Sequence, residues 1–258
     1  KGGGLESLAS SVAWKIIGTE DPDERKRLGE EAVQYYDKAE HLGSIISFYG
    51  LGGGAMARPV GLVDYYYWMA LFEAEPEKKL EFLERAVQLG RKALKVAEES
   101  GCNIASAHFF FAIALSGRGR IEPDIDRKRN LLEEAVKYDQ SYVERYEQLA
   151  PFDYANLSLL ILGGIKSELG NIEADAASKT RMLEEAMLDF EKGLEGYEKI
   201  MPSYERIGRF DPYAPLHLSQ DRYATLLTNL YDLTNRSEHL RRAVEILQKA
   251  IYSASKVN

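Results

Sequence analysis

Cysteine is nearly missing from this chain: Cys102 stands alone among 258 residues, so no internal disulfide can form. A lone thiol fits a reducing, cytoplasmic compartment. Long apolar runs are missing as well. The longest, around 109–115 and 157–165, fall short of the roughly 20 apolar residues that span a bilayer and read as buried helix. No membrane partner is expected. Basic runs are short, since Arg25-Lys26-Arg27 and Arg127-Lys128-Arg129 stand beside acidic residues in a chain of net charge −8. Phosphate backbones are gripped by clustered Lys and Arg, so nucleic acid is not an expected partner either.

Motifs of catalysis and metal binding are equally sparse. His41, His108, His217 and His239 form no pair at ligand spacing, and neither His-Glu-x-x-His nor Cys-x-x-Cys occurs. The glycine-rich stretch 50–55 is followed by Met56-Ala57-Arg58 rather than Lys-Ser/Thr, which makes it a connector or a close helix contact, not a phosphate loop. Paired carboxylates such as Glu30-Glu31, Glu133-Glu134 and Glu184-Glu185 recur once per repeat. An acid/base pair would be unique, so these mark a wet helix face. No Gly-x-Ser-x-Gly elbow is present. The chain is therefore read as non-catalytic, with no cofactor and no metal.

What the chain does have is repetition. Gly29-Glu30-Glu31-Ala32-Val33, Leu83-Glu84-Arg85-Ala86-Val87, Leu132-Glu133-Glu134-Ala135-Val136, Leu183-Glu184-Glu185-Ala186-Met187 and Leu240-Arg241-Arg242-Ala243-Val244 are versions of one motif. Their alanines recur at intervals of 54, 49, 51 and 57 residues, a period typical of stacked repeat architectures. Around each motif, apolar residues are spaced by three and four, as in Leu240, Ala243, Val244, Leu247, Ala250 and Ile251. That spacing predicts amphipathic helices. A shorter apolar helix precedes each, over 5–18, 62–74, 104–117, 154–170 and 220–234. Pro22, Pro76, Pro123, Gly170-Asn171 and Asn235-Arg236-Ser237 supply the breaks. The first two pairs share more: Trp14-Lys15-Ile16-Ile17 and Glu20-Asp21-Pro22 shift by 54 onto Trp68-Met69-Ala70-Leu71 and Ala74-Glu75-Pro76.

Leu162-Gly163-Gly164 followed by Leu169-Gly170-Asn171 resembles the first helix of a tetratricopeptide (TPR) repeat. The five motif alanines resemble the small residue early in that repeat's second helix. Tyr36, Phe190 and Leu247 match the large apolar position four residues on, and Ala39, Ala93 and Ala250 the small one after seven. The units here are lengthened, about 50 residues against about 34, and Gly90 and Asp139 replace the large apolar residue. The resemblance implies an all-α, right-handed α-solenoid of about five helix hairpins, ten helices in all. It also implies one domain over 1–258, with repeats near 5–42, 62–100, 104–149, 154–200 and 220–257. Two irregular connectors, 43–61 and 201–219, interrupt the series. The chain, which opens on Lys1, reads as a fragment of a larger protein.

Function follows as an expectation: a protein- or peptide-interaction module, the scaffold, sensor or regulatory region of a signalling protein. The alternatives are a small-molecule-binding helical sensor and an α/α toroid enzyme. Sixteen tyrosines are present, densest in Tyr65-Tyr66-Tyr67-Trp68. In the TPR register Tyr67 faces the core, while Tyr65, Met69 and Phe72 line a concave groove. The fourth repeat adds Leu157, Leu160, Gly164 and Ser167, and the fifth adds Arg222, Thr225, Asn229 and Asp232. Tyrosine and methionine suit recognition surfaces because they offer large contact areas at modest entropic cost. The last helix keeps apolar residues where a terminal repeat needs a polar cap, which predicts self-association or a further helix.

Overall fold

A computed structural model describes Val12, Lys15, Thr19 and residues 21–48, 54–100, 104–146, 154–207 and 213–256. Among them no β-strand occurs, and nine helices follow one another: α1 (Pro22–Phe48), α2 (Gly54–Phe72), α3 (Pro76–Ser100), α4 (Ile104–Ile121), α5 (Ile125–Tyr146), α6 (Tyr154–Ile172), α7 (Ala176–Ile207), α8 (Tyr213–Thr234) and α9 (Ser237–Ala254). Of the helix expected over 5–18, Val12 and Lys15 are helical and the rest lies outside the described residues, as do Cys102 and residues 50–53.

The chain divides into two compact units, Lys1–Ile121 and Glu122–Asn258. The division falls in the turn of the third expected hairpin, so α4 belongs to the first unit and α5 to the second. Within the first unit α1 packs on α2, α2 on α3 and α3 on α4, and α2 also meets α4. Within the second, α5 packs on α6, α6 on α7, α7 on α8 and α8 on α9, and α6 also meets α8.

The irregular connectors are much shorter than expected. Helix covers 43–48 and 54–61 on one side, and 201–207 and 213–219 on the other. Pro215 is the third residue of α8, in the first turn, where an amide hydrogen has no helical acceptor to lose. Pro59 and Pro202 lie deeper inside α2 and α7, and there the helix continues in spite of its propensity.

A turn that recurs with the repeat starts three of the long helices. Glu73-Ala74-Glu75, Glu122-Pro123-Asp124 and Glu173-Ala174-Asp175 precede α3, α5 and α7, at intervals of 49 and 51 residues. In each, the first glutamate folds back onto the backbone amide two residues on: Glu75 N donates to Glu73 Oε1 (2.9 Å), Asp124 N to Glu122 Oε1 (3.2 Å) and Asp175 N to Glu173 Oε1 (3.2 Å). In the last two the third residue then caps the helix. Arg127 N donates to Asp124 Oδ1 (2.9 Å) and Ser178 N to Asp175 Oδ2 (2.8 Å), satisfying amides that have no helical partner. Pro22 and Pro76 occupy the first helical position of α1 and α3, where proline is favoured. The turn from α8 to α9 is different: Asn235 takes a left-handed conformation (φ 54°), its N–H bonds Tyr231 O at 2.7 Å, and Arg236 provides no side-chain cap.

Packing is organised by small residues. Ala32, Ala86, Ala135, Ala186 and Ala243 are all 0–2% exposed. At the α6/α7 crossing, a Cβ on Gly163 would lie 3.1 Å from Ala186 O and 2.8 Å from the Phe190 ring, so the two backbones are in contact. Four residues after the alanine, one helical turn on, lies a second recurring slot: Gly90, Asp139, Phe190 and Leu247. Each of the first three receives a side chain from the following helix. The Phe111 ring fills Gly90, where a Cβ would come within 2.7 Å of it. Ser158 Oγ donates to Asp139 Oδ1, and Tyr223 stacks on Phe190 with centroids 5.3 Å apart. The two residues that broke the expected apolar pattern therefore match what faces them.

Two substitutions test this account. Ala186→Leu inserts bulk into the tightest crossing and should cost about 1–3 kcal/mol in urea unfolding of the whole chain. Asp124→Ala should cost about 1 kcal/mol by removing the α5 cap, whereas Asp124→Asn should restore most of it.

Candidate interaction faces

In the first unit the expected groove stripe is largely turned inward. Tyr65, Met69 and Phe72 are each half-buried on α2. Tyr65 lies against Gly29 of α1, where a Cβ would approach its hydroxyl and Cε2 to 2.5 Å. Burial, with Tyr66 and Glu30 nearby, pushes the Tyr65 hydroxyl up to about 12. The Arg25 guanidinium of α1 sits over the Phe72 ring at 4.9 Å. Tyr65 and Phe72 thus each also pack on the preceding helix. The reason is geometric, because α2 has neighbours on three sides. Tyr66 meets Phe82 of α3 (centroids 6.1 Å apart), and Tyr67 reaches Gly117 and Arg120 of α4. Trp68 is buried, and its Nε1–H donates to Asp64 Oδ1 at 2.9 Å. Burial pushes the Asp64 carboxyl up to about 7, the Trp68 hydrogen bond opposing it. Tyr67 is buried, as expected.

In the second unit the fourth-repeat residues also turn inward. Leu160 is 1% exposed, its Cδ2 lying 2.8 Å from where a Gly193 Cβ would stand, so it belongs to the core and not to an accessible face. Gly164 and Ser167 are buried and Leu157 is half-buried. The fifth-repeat residues are different. Along α8, Thr225 and Asp232 are exposed, and Arg222 and Asn229 are partly exposed. Asn229 Nδ2 donates to Asn171 Oδ1 of α6 at 3.0 Å, so this polar strip runs where the first helices of two successive pairs adjoin. Thr225 Oγ1 donates to Asp221 O at 3.1 Å. The Asn171–Asn229 bridge had no signal in the sequence beyond two amides 58 residues apart.

A set of buried polar groups on α5, α6, α7 and α8 was missed by sequence reading. Asp139 of α5 is fully buried, held by Ser158 of α6, and its Oδ2 has no hydrogen-bond partner among the described residues. Desolvation dominates and pushes its carboxyl up to about 8, with the nearby Asp189 adding to the rise. Asp189 of α7 pairs with Lys166 of α6 at 2.6 Å; burial raises it while the ammonium pulls it down. Tyr223 Oη donates to Glu191 Oε1 at 2.9 Å. No three His, Cys, Asp or Glu side chains gather at metal-binding distance among the described residues, and no described helix is long and apolar enough to cross a membrane. A scan against family models finds no match, and a search of curated proteins finds no relative.

The buried acids set a pH dependence. Asp139 and Asp64 release protons near 3.8 when unfolded but near 8 and 7 when folded. Between those limits the native state binds more protons, so stability falls as pH rises. The slope contributed by Asp139 approaches about 1.4 kcal/mol per pH unit. Thermal or urea melts at pH 5 and pH 7.5 should show the wild type more stable at pH 5. Asp139→Asn should narrow that difference and leave the protein more stable than wild type at pH 7.5; a difference unchanged by the substitution would remove Asp139 as its source.

Proposed function

We propose that this chain is a non-catalytic, TPR-like helical-repeat module whose α8 face takes a protein or peptide segment, serving as a scaffold or regulatory region of a larger signalling protein. Three features support the repeat reading. The motif alanines are buried at every copy, the acidic capping turn recurs with the same period, and the first helices of successive pairs touch inside each unit. These features support the reading of an α-solenoid, whose stacked units form an extended concave binding surface.

The observation that carries the binding reading is the Asn171–Asn229 bridge with Thr225 and Asp232 exposed beside it. An amide side chain offers one acceptor and two donors, matching the N–H and C=O of a peptide backbone. The bridge uses Asn229 Nδ2 and Asn171 Oδ1 and leaves Asn229 Oδ1 and Asn171 Nδ2 to a ligand. Arg222 and Asp232 stand ten residues apart, about 15 Å along the helix, which is the reach of four to five residues of extended chain. Asp232, exposed at one end of the strip, favours a basic residue in the segment.

The test is selection of short random peptides on the immobilised chain, followed by titration of the winners. They should bind Asn229→Ala/Asp232→Ala at least tenfold more weakly, with the melting temperature unchanged. Failure to enrich any peptide, or equal binding to the double variant, would reject this face.

A further inference from the structure

We propose that the second half of α5, from Asp139 to Tyr146, is a latch that leaves α6 when the Asp139 carboxyl gives up its proton. The two halves of α5 are held differently. Near its start Arg129 donates to Glu173 Oε2 (3.1 Å) and Lys128 pairs with Glu168 of α6 (3.8 Å). Leu132 and Ala135, in the same half, are wholly buried. From Lys137 to Arg145, by contrast, only Asp139 and Tyr142 are buried.

This half therefore closes on α6 over a carboxyl. Asp139 Oδ1 accepts from Ser158 Oγ of α6, and Oδ2 has no hydrogen-bond partner among the described residues. A carboxyl shielded from water with a single donor is stable there when neutral, because the anion forfeits its hydration. The charged neighbours do not rescue the anion. Lys166 of α6 is already paired with Asp189 of α7 at 2.6 Å. Ionised Asp139 would be a second carboxylate against one ammonium, and Asp189 helps keep the proton on it. On α5 the face that carries Asp139 holds Leu132, Ala135, Val136, Tyr142 and Val143, of which Tyr142 alone is titratable. Glu133, Lys137, Glu144 and Arg145 are exposed.

Release of this half disturbs less than unfolding of the second unit. Within that unit α5 packs on α6, while α6 keeps its contacts with α7 and α8, and a segment with few buried groups opens first. Opening is linked to one proton. In the open form the carboxyl regains its ordinary value of 3.8, against about 8 when closed. Between those values the closed form binds more protons, so the ratio of open to closed rises up to about tenfold per pH unit, and it levels off above them. The latch thus hides Ser158 and Tyr142 in mild acid and bares them in alkaline surroundings.

Amide hydrogen exchange of the 258-residue chain at pH 5.5, 6.5 and 7.5, corrected for the intrinsic rate, tests this. Amides of 139–146 should lose protection by up to about tenfold per pH unit, and at each pH should be at least tenfold less protected than those of α7 and α8. Asp139→Asn keeps the shape of the side chain and should leave protection at 139–146 independent of pH, with unchanged helical circular dichroism. Protection at 139–146 equal to that of α7 and α8 would overturn the proposal, because release would then be part of global unfolding. Protection that does not vary with pH, or a slope that survives Asp139→Asn, would overturn it by removing the carboxyl as trigger. The wild-type comparison requires no variant and decides the matter where Asp139→Asn fails to fold.

Discussion

The near approach of helix backbones at the motif alanines is the constraint on which the rest of both units depends. At Ala186 the main chain lies so close to α6 that a Cβ on Gly163 would come within 3.1 Å of its carbonyl oxygen, and Ala32, Ala86, Ala135, Ala186 and Ala243 are all shielded almost completely. Close approach brings the flanking residues into one another's grooves. It therefore dictates that large side chains oppose small ones, as with Tyr65 over Gly29, Leu83 over Gly117 and Phe190 over Gly163. Interiors packed this way have no room to absorb extra volume. A larger residue at the crossing would displace its neighbours as well as itself.

Within that fixed spacing, one slot carries three different chemistries. At Gly90 an aromatic ring enters an empty position, at Phe190 two rings stack, and at Asp139 a hydroxyl meets a carboxyl. The last is the least stabilising at neutral pH, because a fully buried carboxyl with one hydrogen bond loses much of its hydration. What it supplies is selectivity. Ser158 finds a polar partner at Asp139 and at neither of the equivalent positions, so α6 is discouraged from settling on a helix of another repeat. In a chain built of similar units, mispaired helices are the natural competitor to the fold, and distinct slots disfavour them.

How much of this was legible in the sequence depended on whether a signal repeated. The alanine motif did, and it located every long helix. The acidic turn repeated too, as Glu73-Ala74-Glu75, Glu122-Pro123-Asp124 and Glu173-Ala174-Asp175, yet it was passed over because charged turns are usually only solvated; their capping role depends on the glutamate reaching back two residues. The starts of α2 and α8 were hidden by Gly54 and Pro215, which read as breakers until their place in the first turn is known. The packing of Tyr65 and Phe72 on α1 gave no signal of its own. Helix α2 is apolar on most sides because α1, α3 and α4 all touch it, and a helix without a polar face gives periodicity nothing to point with. On α8, by contrast, Thr225, Asn229 and Asp232 are polar at helical spacing amid a buried set of leucines, a pattern that periodicity can read.

The fifth hairpin departs from the others at both of its ends, and the departures belong together. Its turn has lost the acidic cap and uses a left-handed Asn235, and its slot residue Leu247 faces no described helix. Helices α3 and α7 are each held on two sides, by the first helix before them and by the one after. Helix α9 packs on α8 through Ala243, Ile246, Ala250 and Ser253, and its Lys249 reaches Glu198 of α7 at 2.9 Å. The buried side thus keeps the rule that orders the interior even where the turn and the slot depart from it: small residues, Ala243, Ala250 and Ser253, stand where the neighbouring helix comes close, and Ile246 fills the space between them.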